Sequence, residues 1–375
     1  MRVLQYLDSL NRGGAEMQAL DVCRNAARFG INVTAVAAGG GPLEDEFRDA
    51  GFEFIRLSRK LPVDLNVAAQ LRRIVRERNI RIVHGYQAVD GLHLYLSTRG
   101  LNGVRRVLSF QGFVQDRKNR VTLRFLIPRM DANISVSRGL TKWLKETDRL
   151  DVGNRFTEIY NGADPERLRP TGGSIRRELG LQPDDLLFGM IANFYRDPRK
   201  DQMTVCRALA RVFEKVPKSH CVFVGRIEKG AEDKMADCLN FCIEHGITDR
   251  VHFVGPRSDV PDILADLDVF VLSSLHEGLP VAVSESMLAG VPMIVSAIEP
   301  LLEATQNGEF ADTFPVGNAE LLAGRLISLL SDNSRRLELA NNAKRFAEEN
   351  FSIDAHLRQL RTLYSSLIEV NRTAA

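Results

Sequence analysis

Short apolar runs alternate with amphipathic, helix-length patterns along almost the whole 375-residue chain. Strands that alternate with helices are typical of parallel α/β folds, in which each strand is buried on both faces. The length suits two domains, each with its own core. We therefore predict two parallel sheets, with strands at about residues 2–7, 31–37, 52–57, 81–84, 104–110, 131–135 and 156–160, and then at about 186–192, 219–224, 251–254, 268–272 and 293–296.

A turn-forming string, Asn161-Gly162-Ala163-Asp164-Pro165, separates the two sets of strands. Gly, Asn and Asp favour turns, and Pro cannot continue a strand, so the string is a good linker. We predict a first domain at 1–163 and a second at 164–350. The remaining segment, 351–375, contains an amphipathic helix from about Ser352 to Val370.

Composition excludes several classes of protein. Hydrophobic residues make up 44% of the chain and charged residues 26%, as in ordinary globular proteins. No apolar run approaches the roughly 18 residues that span a bilayer, and the N-terminal apolar stretch is too short for a signal peptide. The five cysteines form no C-x-x-C pair, which fits reduced thiols in the cytoplasm. Cys238, Cys242 and His245 could share one helix face, but helix packing explains them better, so we predict no metal site.

The charge is unevenly divided between the two halves. Residues 1–163 carry 26 Lys and Arg against 17 Asp and Glu, a net charge of +9, and residues 164–375 carry a net charge of −7. A basic half suggests an anionic partner. Segment 117–130 mixes basic residues with Val, Leu, Phe and Ile, which suits a helix on an anionic membrane surface; a solvated helix face is the alternative. Nucleic acid is not expected, because the basic half lacks interleaved aromatic residues and a reading motif.

The stretch from Ser273 to Pro292 predicts a strand, a turn and a helix. The preceding run is apolar, Pro280 suits the first helical position, and Gly290 followed by Pro292 suits the helix end. Such a turn directs backbone N–H groups and the helix dipole at one spot, where phosphate binds well. Glu277 and Glu285 beside that spot could accept hydrogen bonds from hydroxyls, so the pattern favours a ligand that combines phosphates with sugars. Two solvated glutamates in an ordinary crossover are the alternative.

This stretch resembles the Glu-x7-Glu signature of the retaining glycosyltransferases of family 4. The matching residues are Ser274, Glu277, Gly278, Pro280, Glu285, Ser286, Ala289, Gly290 and Pro292. The resemblance implies the GT-B fold, two Rossmann-like domains with parallel sheets that face each other across a cleft. It also implies an acceptor-binding first domain, a second domain that binds a nucleotide-sugar donor, and a last helix that crosses back to the first domain.

The resemblance assigns roles to residues of the second domain. Glu277 would bind sugar hydroxyls, Glu285 would bind the ribose hydroxyls, and Lys200 would hold the pyrophosphate. The family also uses an arginine there, which we place at Arg196, with Arg199 as the fallback. The other donor-binding positions expected are the cradle Gly278, Leu279, Pro280 and Val281, together with Arg257 in the segment that reads the base.

In the first domain the loop after the first strand contains Gly13, Gly14 and Glu16. It lacks the G-x-G-x-x-G pattern, so a nicotinamide-binding dehydrogenase is disfavoured. The two glycines allow close backbone approach to a phosphate or sugar, with a tight turn as the alternative. The resemblance implies that this loop contacts donor phosphate and acceptor. Gln111 stands where many relatives have His, and His84 ends another strand, so Glu16, Gln111 and His84 are acceptor-side candidates; a packed or capping His84 is the alternative.

The function that the resemblance implies is transfer of a sugar, with retention, from a nucleotide-diphosphate sugar to a glycan or polyprenyl-linked acceptor in surface polysaccharide synthesis. Family precedent favours front-face substitution, without a metal ion or cofactor. A nucleotide-sugar 2-epimerase or a non-catalytic partner protein are the alternatives. The protein is expected in the cytoplasm, peripheral on the inner face of the membrane if segment 117–130 binds lipid. UDP and GDP donors are not distinguished.

Overall fold

The computed structural model describes residues 1–113, 116–153 and 155–369. The chain forms two compact units. Unit 1 comprises Met1–Ala163 together with the chain from Ser352 onward, and unit 2 comprises Asp164–Phe351. The chain passes from unit 1 to unit 2 within the turn-forming string, between Ala163 and Asp164.

Unit 1 is built on a seven-stranded parallel sheet with the order β3-β2-β1-β4-β5-β6-β7. Its strands are β1 (Arg2–Leu7), β2 (Asn32–Ala37), β3 (Glu53–Arg56), β4 (Ile82–Gly85), β5 (Arg105–Phe110), β6 (Ala132–Ser135) and β7 (Phe156–Glu158). Its helices up to the linker are α1 (Gly14–Asn25), α2 (Glu44–Asp49), α3 (Leu65–Glu77), α4 (Ala88–Thr98), α5 (Arg117–Leu126) and α6 (Arg138–Glu146).

Unit 2 repeats this plan with the order β10-β9-β8-β11-β12-β13, again all parallel. The strands are β8 (Leu186–Ile191), β9 (Ser219–Val224), β10 (Val251–Phe253), β11 (Val269–Leu272), β12 (Met293–Ser296) and β13 (Asp312–Phe314). The helices are α7 (Ile175–Glu178), α8 (Gln202–Lys215), α9 (Glu232–Glu244), α10 (Val260–Asp266), α11 (Val281–Ala289), α12 (Glu299–Ala304), α13 (Ala319–Ser331) and α14 (Asn333–Asn350).

All twelve predicted strands occur, which confirms the parallel α/β fold. One strand, β13, was not predicted. It has only three residues, of which Phe314 alone is buried, so it lacks the continuous apolar run that marks the other strands.

The last helix, α15 (Ile353–Glu369), belongs to unit 1 and packs against α1. Leu357, Leu360 and Tyr364 are fully buried in a cluster that also contains residues of β1 and β6. Val370, the predicted end of this helix, lies outside the described residues. Gly162 permits the close approach of the linker, because a Cβ there would lie 2.5 Å from the backbone oxygen of Ser352.

His84 belongs to the core of unit 1, where it is 1% exposed. Its Nδ1 lies 2.6 Å from the Tyr364 hydroxyl and its Nε2 lies 2.7 Å from the Ser109 hydroxyl, so both ring nitrogens are engaged. Burial, with a smaller contribution from His356, lowers the pKa of His84 to about 3. The acceptor-side interpretation of His84 is therefore wrong, and the packed alternative is correct. The prediction failed because α15 covers the end of β4, a tertiary contact that sequence spacing does not reveal.

Acid should destabilise unit 1 through its buried histidines. Burial lowers the pKa of His356 to about 4, as it lowers that of His84. Below the usual histidine pKa of about 6.5, both side chains take up a proton when the protein unfolds. Their contribution to the free energy of unfolding is therefore intact above this pH and is lost progressively below it. Between pH 6.5 and 5 we expect each histidine to remove about 2 kcal/mol from the free energy of unfolding. Urea titrations across this range should show a shallower pH slope for His84→Asn and for His356→Asn; an unchanged slope in both variants contradicts the assignment.

Candidate functional site

The order of strands in unit 2 creates a switch point between β8 and β11. From β8 the chain continues to β9 on one side, and from β11 it continues to β12 on the other. The loops that follow β8 and β11 therefore diverge at the carboxyl edge of the sheet, which is where open α/β sheets bind ligands. These two loops contain Lys200 and Glu277.

Backbone hydrogen bonds join the two loops. Lys200 and Ser274 form an isolated antiparallel bridge. The Asp201 N–H donates to the Ser273 carbonyl at 3.0 Å, and the Leu275 N–H donates to the Arg199 carbonyl at 2.9 Å. Lys200 is therefore held in register with the loop that carries Glu277.

The side chains complete this junction. The Lys200 ammonium forms an ion pair with Oε1 of Glu277, and each of the two side chains is 10% exposed. The Ser274 hydroxyl donates to the same oxygen at 2.8 Å. Lys200 and Glu277, predicted separately from two motifs, thus lie together at the switch point, with a cation suited to phosphate and a carboxylate suited to hydroxyls.

The loop leads directly into α11. This helix begins at Val281, one residue later than predicted, because Pro280 keeps an extended backbone with ψ of 127° and acts as the N-cap. The helix ends as predicted at Gly290, which has a left-handed φ of 76°. Gly278 and Leu279, in the loop before the helix, are buried. The first N–H groups of a helix have no acceptor within it, so the start of α11 can bind an anion.

Glu285 lies one turn into α11 and forms an ion pair with Arg167, whose Nη2 donates to its Oε1 at 2.7 Å. The two side chains are 12% and 17% exposed. Sequence reasoning identified Glu285 but missed Arg167, because 118 positions separate the two residues and nothing in the local pattern marks the arginine.

The two arginine candidates differ in their environments. The guanidinium of Arg199 binds both carboxylate oxygens of Asp197 and lies 4.6 Å from the centre of the Tyr195 ring. The hydrogen bond to Asp197 raises the pKa of Arg199. Within the part of the chain that the structure describes, no side chain forms a hydrogen bond or ion pair with the Arg196 guanidinium, and only its backbone N–H is engaged, with Glu228. This difference favours Arg196 over Arg199 as a cation for a ligand.

Arg257 is engaged by carboxylates. Its guanidinium donates to Asp259 at 2.6 and 2.8 Å and to Glu178 at 2.8 and 3.0 Å. These hydrogen bonds, the one to Asp259 first, raise its pKa. A ligand would compete with two carboxylates for this side chain, and the donor-binding role of Arg257 stays a prediction.

In unit 1 the loop after β1 carries Gly13, Gly14 and Glu16. Gly13 is the N-cap of α1 and Gly14 its first residue. The carboxylate of Glu16 accepts a hydrogen bond from the Ser9 hydroxyl at 2.9 Å, and its other oxygen would lie 2.7 Å from a Cβ at Gly13. Glu16 thus folds over the start of its own helix, where the acidic charge is favourable. The ligand roles of the three residues stay predictions.

Gln111 follows β5 and is half-buried. The Asn161 side-chain amide donates to its Oε1 at 2.8 Å. This contact orients the Gln111 carboxamide, leaving its N–H₂ group to act as a donor. Asn161 had no role in the sequence predictions other than in the linker.

Among residues 1–113, 116–153 and 155–369, no group of three His, Cys, Asp or Glu side chains has a geometry that could hold a metal ion. Cys238 and Cys242 are buried on α9.

Both halves of the chain match family models of glycosyltransferases. Residues 12–167 match the family model described as glycosyltransferase family 4, and residues 173–346 match that of the glycosyl transferases group 1. The chain belongs to the family 4 glycosyltransferases. The enzyme class predicted from the motif is thereby confirmed.

Several relatives of this glycosyltransferase have named activities. The chain is 24% identical over 360 residues to the Escherichia coli UDP-Gal:α-D-GlcNAc-diphosphoundecaprenol α-1,3-galactosyltransferase, covering 91% of this chain and 90% of that one. It is 34% identical over 143 residues to the Campylobacter jejuni N,N'-diacetylbacillosaminyl-diphospho-undecaprenol α-1,3-N-acetylgalactosaminyltransferase, covering 37% and 36%. Among solved structures, Anabaena HepE in complex with UDP superposes with a TM-score of 0.84 at 18% identity, covering 98% of this chain and 100% of HepE. This likeness shows the fold of the glycosyltransferase, the GT-B type.

Removing one partner of the Lys200–Glu277 pair should measurably destabilise the protein. Lys200→Met leaves Glu277 as an uncompensated, largely buried carboxylate, which should lower the free energy of unfolding by about 3 kcal/mol. The double variant Lys200→Met/Glu277→Met removes both charges and should recover most of this loss. Urea unfolding measures both effects. Lys218→Met, which breaks an ion pair with side chains 66% and 62% exposed, is the matched control and should change little. Equal losses in Lys200→Met and Lys218→Met would contradict the interpretation.

Proposed function

We propose that this glycosyltransferase moves a sugar from a UDP-sugar to a sugar carried on a polyprenyl diphosphate, with retention at the anomeric carbon. Two relatives are named for diphosphoundecaprenol-linked acceptors, and one of them for a UDP-sugar donor. HepE has been solved with UDP and with UDP-glucose. These likenesses favour UDP over GDP, which the sequence did not distinguish.

The observation that carries the proposal is the Lys200–Glu277 pair beside the start of α11. We assign Lys200 and Arg196 to the diphosphate, together with the N–H groups at the start of α11, because fixed cations and dipoles stabilise the negative charge on a departing diphosphate. Glu277 would exchange its contact with Lys200 for hydroxyls of the donor sugar, and Glu285 would accept hydrogen bonds from the ribose.

In the proposed reaction the bond between the anomeric carbon and the β-phosphate oxygen breaks as the acceptor hydroxyl forms its bond on the same face. The acceptor proton passes to the departing phosphate oxygen, so no protein nucleophile and no metal ion is required. Glu16 and Gln111 are assigned to the acceptor, with Gln111 donating a hydrogen bond through the amide group that Asn161 orients.

An assay with radiolabelled UDP-sugars and a synthetic polyprenyl-diphosphate-linked sugar tests the function. We expect transfer from one UDP-sugar, and a loss of about 10²–10³ in kcat for Glu277→Gln, since its hydrogen bonds to the donor act in the transition state. Glu320→Gln, at a side chain 82% exposed, is the control. A product with inverted anomeric configuration would contradict retention, and full activity of Glu277→Gln would contradict the site.

A membrane-linked acceptor requires contact with the bilayer, which we assign to a surface on α5 and α6. In the described residues no helix has the length and apolar character needed to cross a membrane. Val121, Phe125 and Trp143 are nevertheless 58%, 41% and 38% exposed. They are accompanied by exposed basic residues, Arg117, Lys118, Arg124, Lys142 and Lys145. Apolar side chains framed by cations suit insertion at the surface of an anionic bilayer.

The α5–α6 surface can be tested by co-sedimentation with phosphatidylglycerol-containing vesicles. Val121→Ser/Phe125→Ser should weaken binding about tenfold or more, because these side chains lose the apolar area that enters the bilayer. Leu337→Ser, at a residue of α14 that is 57% exposed, is the matched control. Equal binding to neutral phosphatidylcholine vesicles would contradict the electrostatic part of the proposal.

A further inference from the structure

The contact between Arg167 and Glu285 joins two segments that are distant in sequence. Arg167 lies shortly after the linker, and Glu285 lies in α11. The ion pair is largely buried, which distinguishes it from exposed pairs that contribute little. A partly buried guanidinium directed at one carboxylate oxygen restricts the rotation of a flexible glutamate side chain.

The segment that carries Arg167 is itself fixed. Asp164 accepts a hydrogen bond from the Glu166 N–H at 3.0 Å, and the Leu168 N–H donates to the Pro165 carbonyl at 3.2 Å, which makes a compact turn. A few residues later, Asp262 of α10 accepts hydrogen bonds from both the N–H and the hydroxyl of Thr171. Since α10 packs against α11, the segment is anchored beside the helix that bears Glu285.

The position of Glu285 on α11 directs it towards the proposed nucleotide site. Side chains in a helix lean towards its N-terminus, so a residue one turn into α11 reaches back towards the loop that ends at Pro280. A carboxylate has about four acceptor sites on its two oxygens, and the hydrogen bond from Arg167 to Oε1 engages one of them. The positive charge of Arg167 also offsets the repulsion between Glu285 and an incoming diphosphate.

We infer that Arg167 is a positioning residue for nucleoside recognition: it holds the Glu285 carboxylate in the orientation that accepts hydrogen bonds from the ribose 2′- and 3′-hydroxyls. Arg167 acts through Glu285 and does not itself touch the ribose. The inference rests on the proposed function, which supplies the ribose as the ligand of Glu285. It adds a residue, outside the signature motif, on which discrimination between ribose and deoxyribose depends.

Calorimetric titration with UDP, 2′-deoxy-UDP and 3′-deoxy-UDP tests this inference. The wild-type protein should bind UDP about tenfold to a hundredfold more tightly than either deoxy analogue, as expected for hydrogen bonds to a charged group. Arg167→Met should reduce this preference to about threefold or less, as should Glu285→Gln. Both substitutions remove the same contact between Arg167 and Glu285. Combining them in a double variant should therefore not lower the preference for UDP below that of either single variant. Arg167→Lys should restore part of the preference.

The preference is a ratio of affinities in one protein sample, so a general loss of folded protein does not change it. Arg335→Met, which breaks the ion pair with Asp312 elsewhere in unit 2, is the matched control and should keep the wild-type preference. If Arg167→Met keeps the preference while Glu285→Gln loses it, the role of Arg167 is overturned and the proposed function stands. If the wild-type protein binds the three nucleotides equally, the ribose role of Glu285 fails, and the inference falls with it.

Discussion

The ion pair between Lys200 and Glu277 is the interaction on which the account of this enzyme depends. It exists because two loops that leave adjacent parallel strands in opposite directions are joined by a backbone bridge between Lys200 and Ser274. The pair places a cation and a carboxylate at one point beside a helix start. Both groups are largely withdrawn from water, where their contacts with a ligand count for more than they would at the surface.

The same strand order produces a comparable edge in both units, but the edges carry different chemistry. In unit 2 the edge combines Lys200, Arg196 and the start of α11, which suits a diphosphate. In unit 1, Glu16 lies at the start of α1, just after the loop that follows β1. The residue that follows β5 is Gln111, whose amide is oriented by Asn161. Carboxylate and amide groups are suited to sugar hydroxyls, so the roles proposed for the two units differ through the side chains that one repeated fold carries.

Sequence reasoning recovered what local pattern determines. The apolar runs defined twelve strands, and the string from Ser273 to Pro292 defined the loop and helix that carry Glu277 and Glu285. Contacts between segments that are distant in the sequence were not predicted. The covering of His84 by Tyr364, the pairing of Arg167 with Glu285 and the engagement of Arg257 by Glu178 join residues tens to hundreds of positions apart. The three-residue strand β13 escaped for another reason, since it is too short and too exposed to carry a pattern.

The most direct test of the central claim is a crystal structure of the enzyme with UDP bound. We predict the diphosphate at the start of α11, with the Lys200 ammonium moved from Glu277 to a phosphate oxygen and the ribose hydroxyls on Glu285. A structure in which the diphosphate lies elsewhere, with the Lys200–Glu277 pair intact, would contradict it.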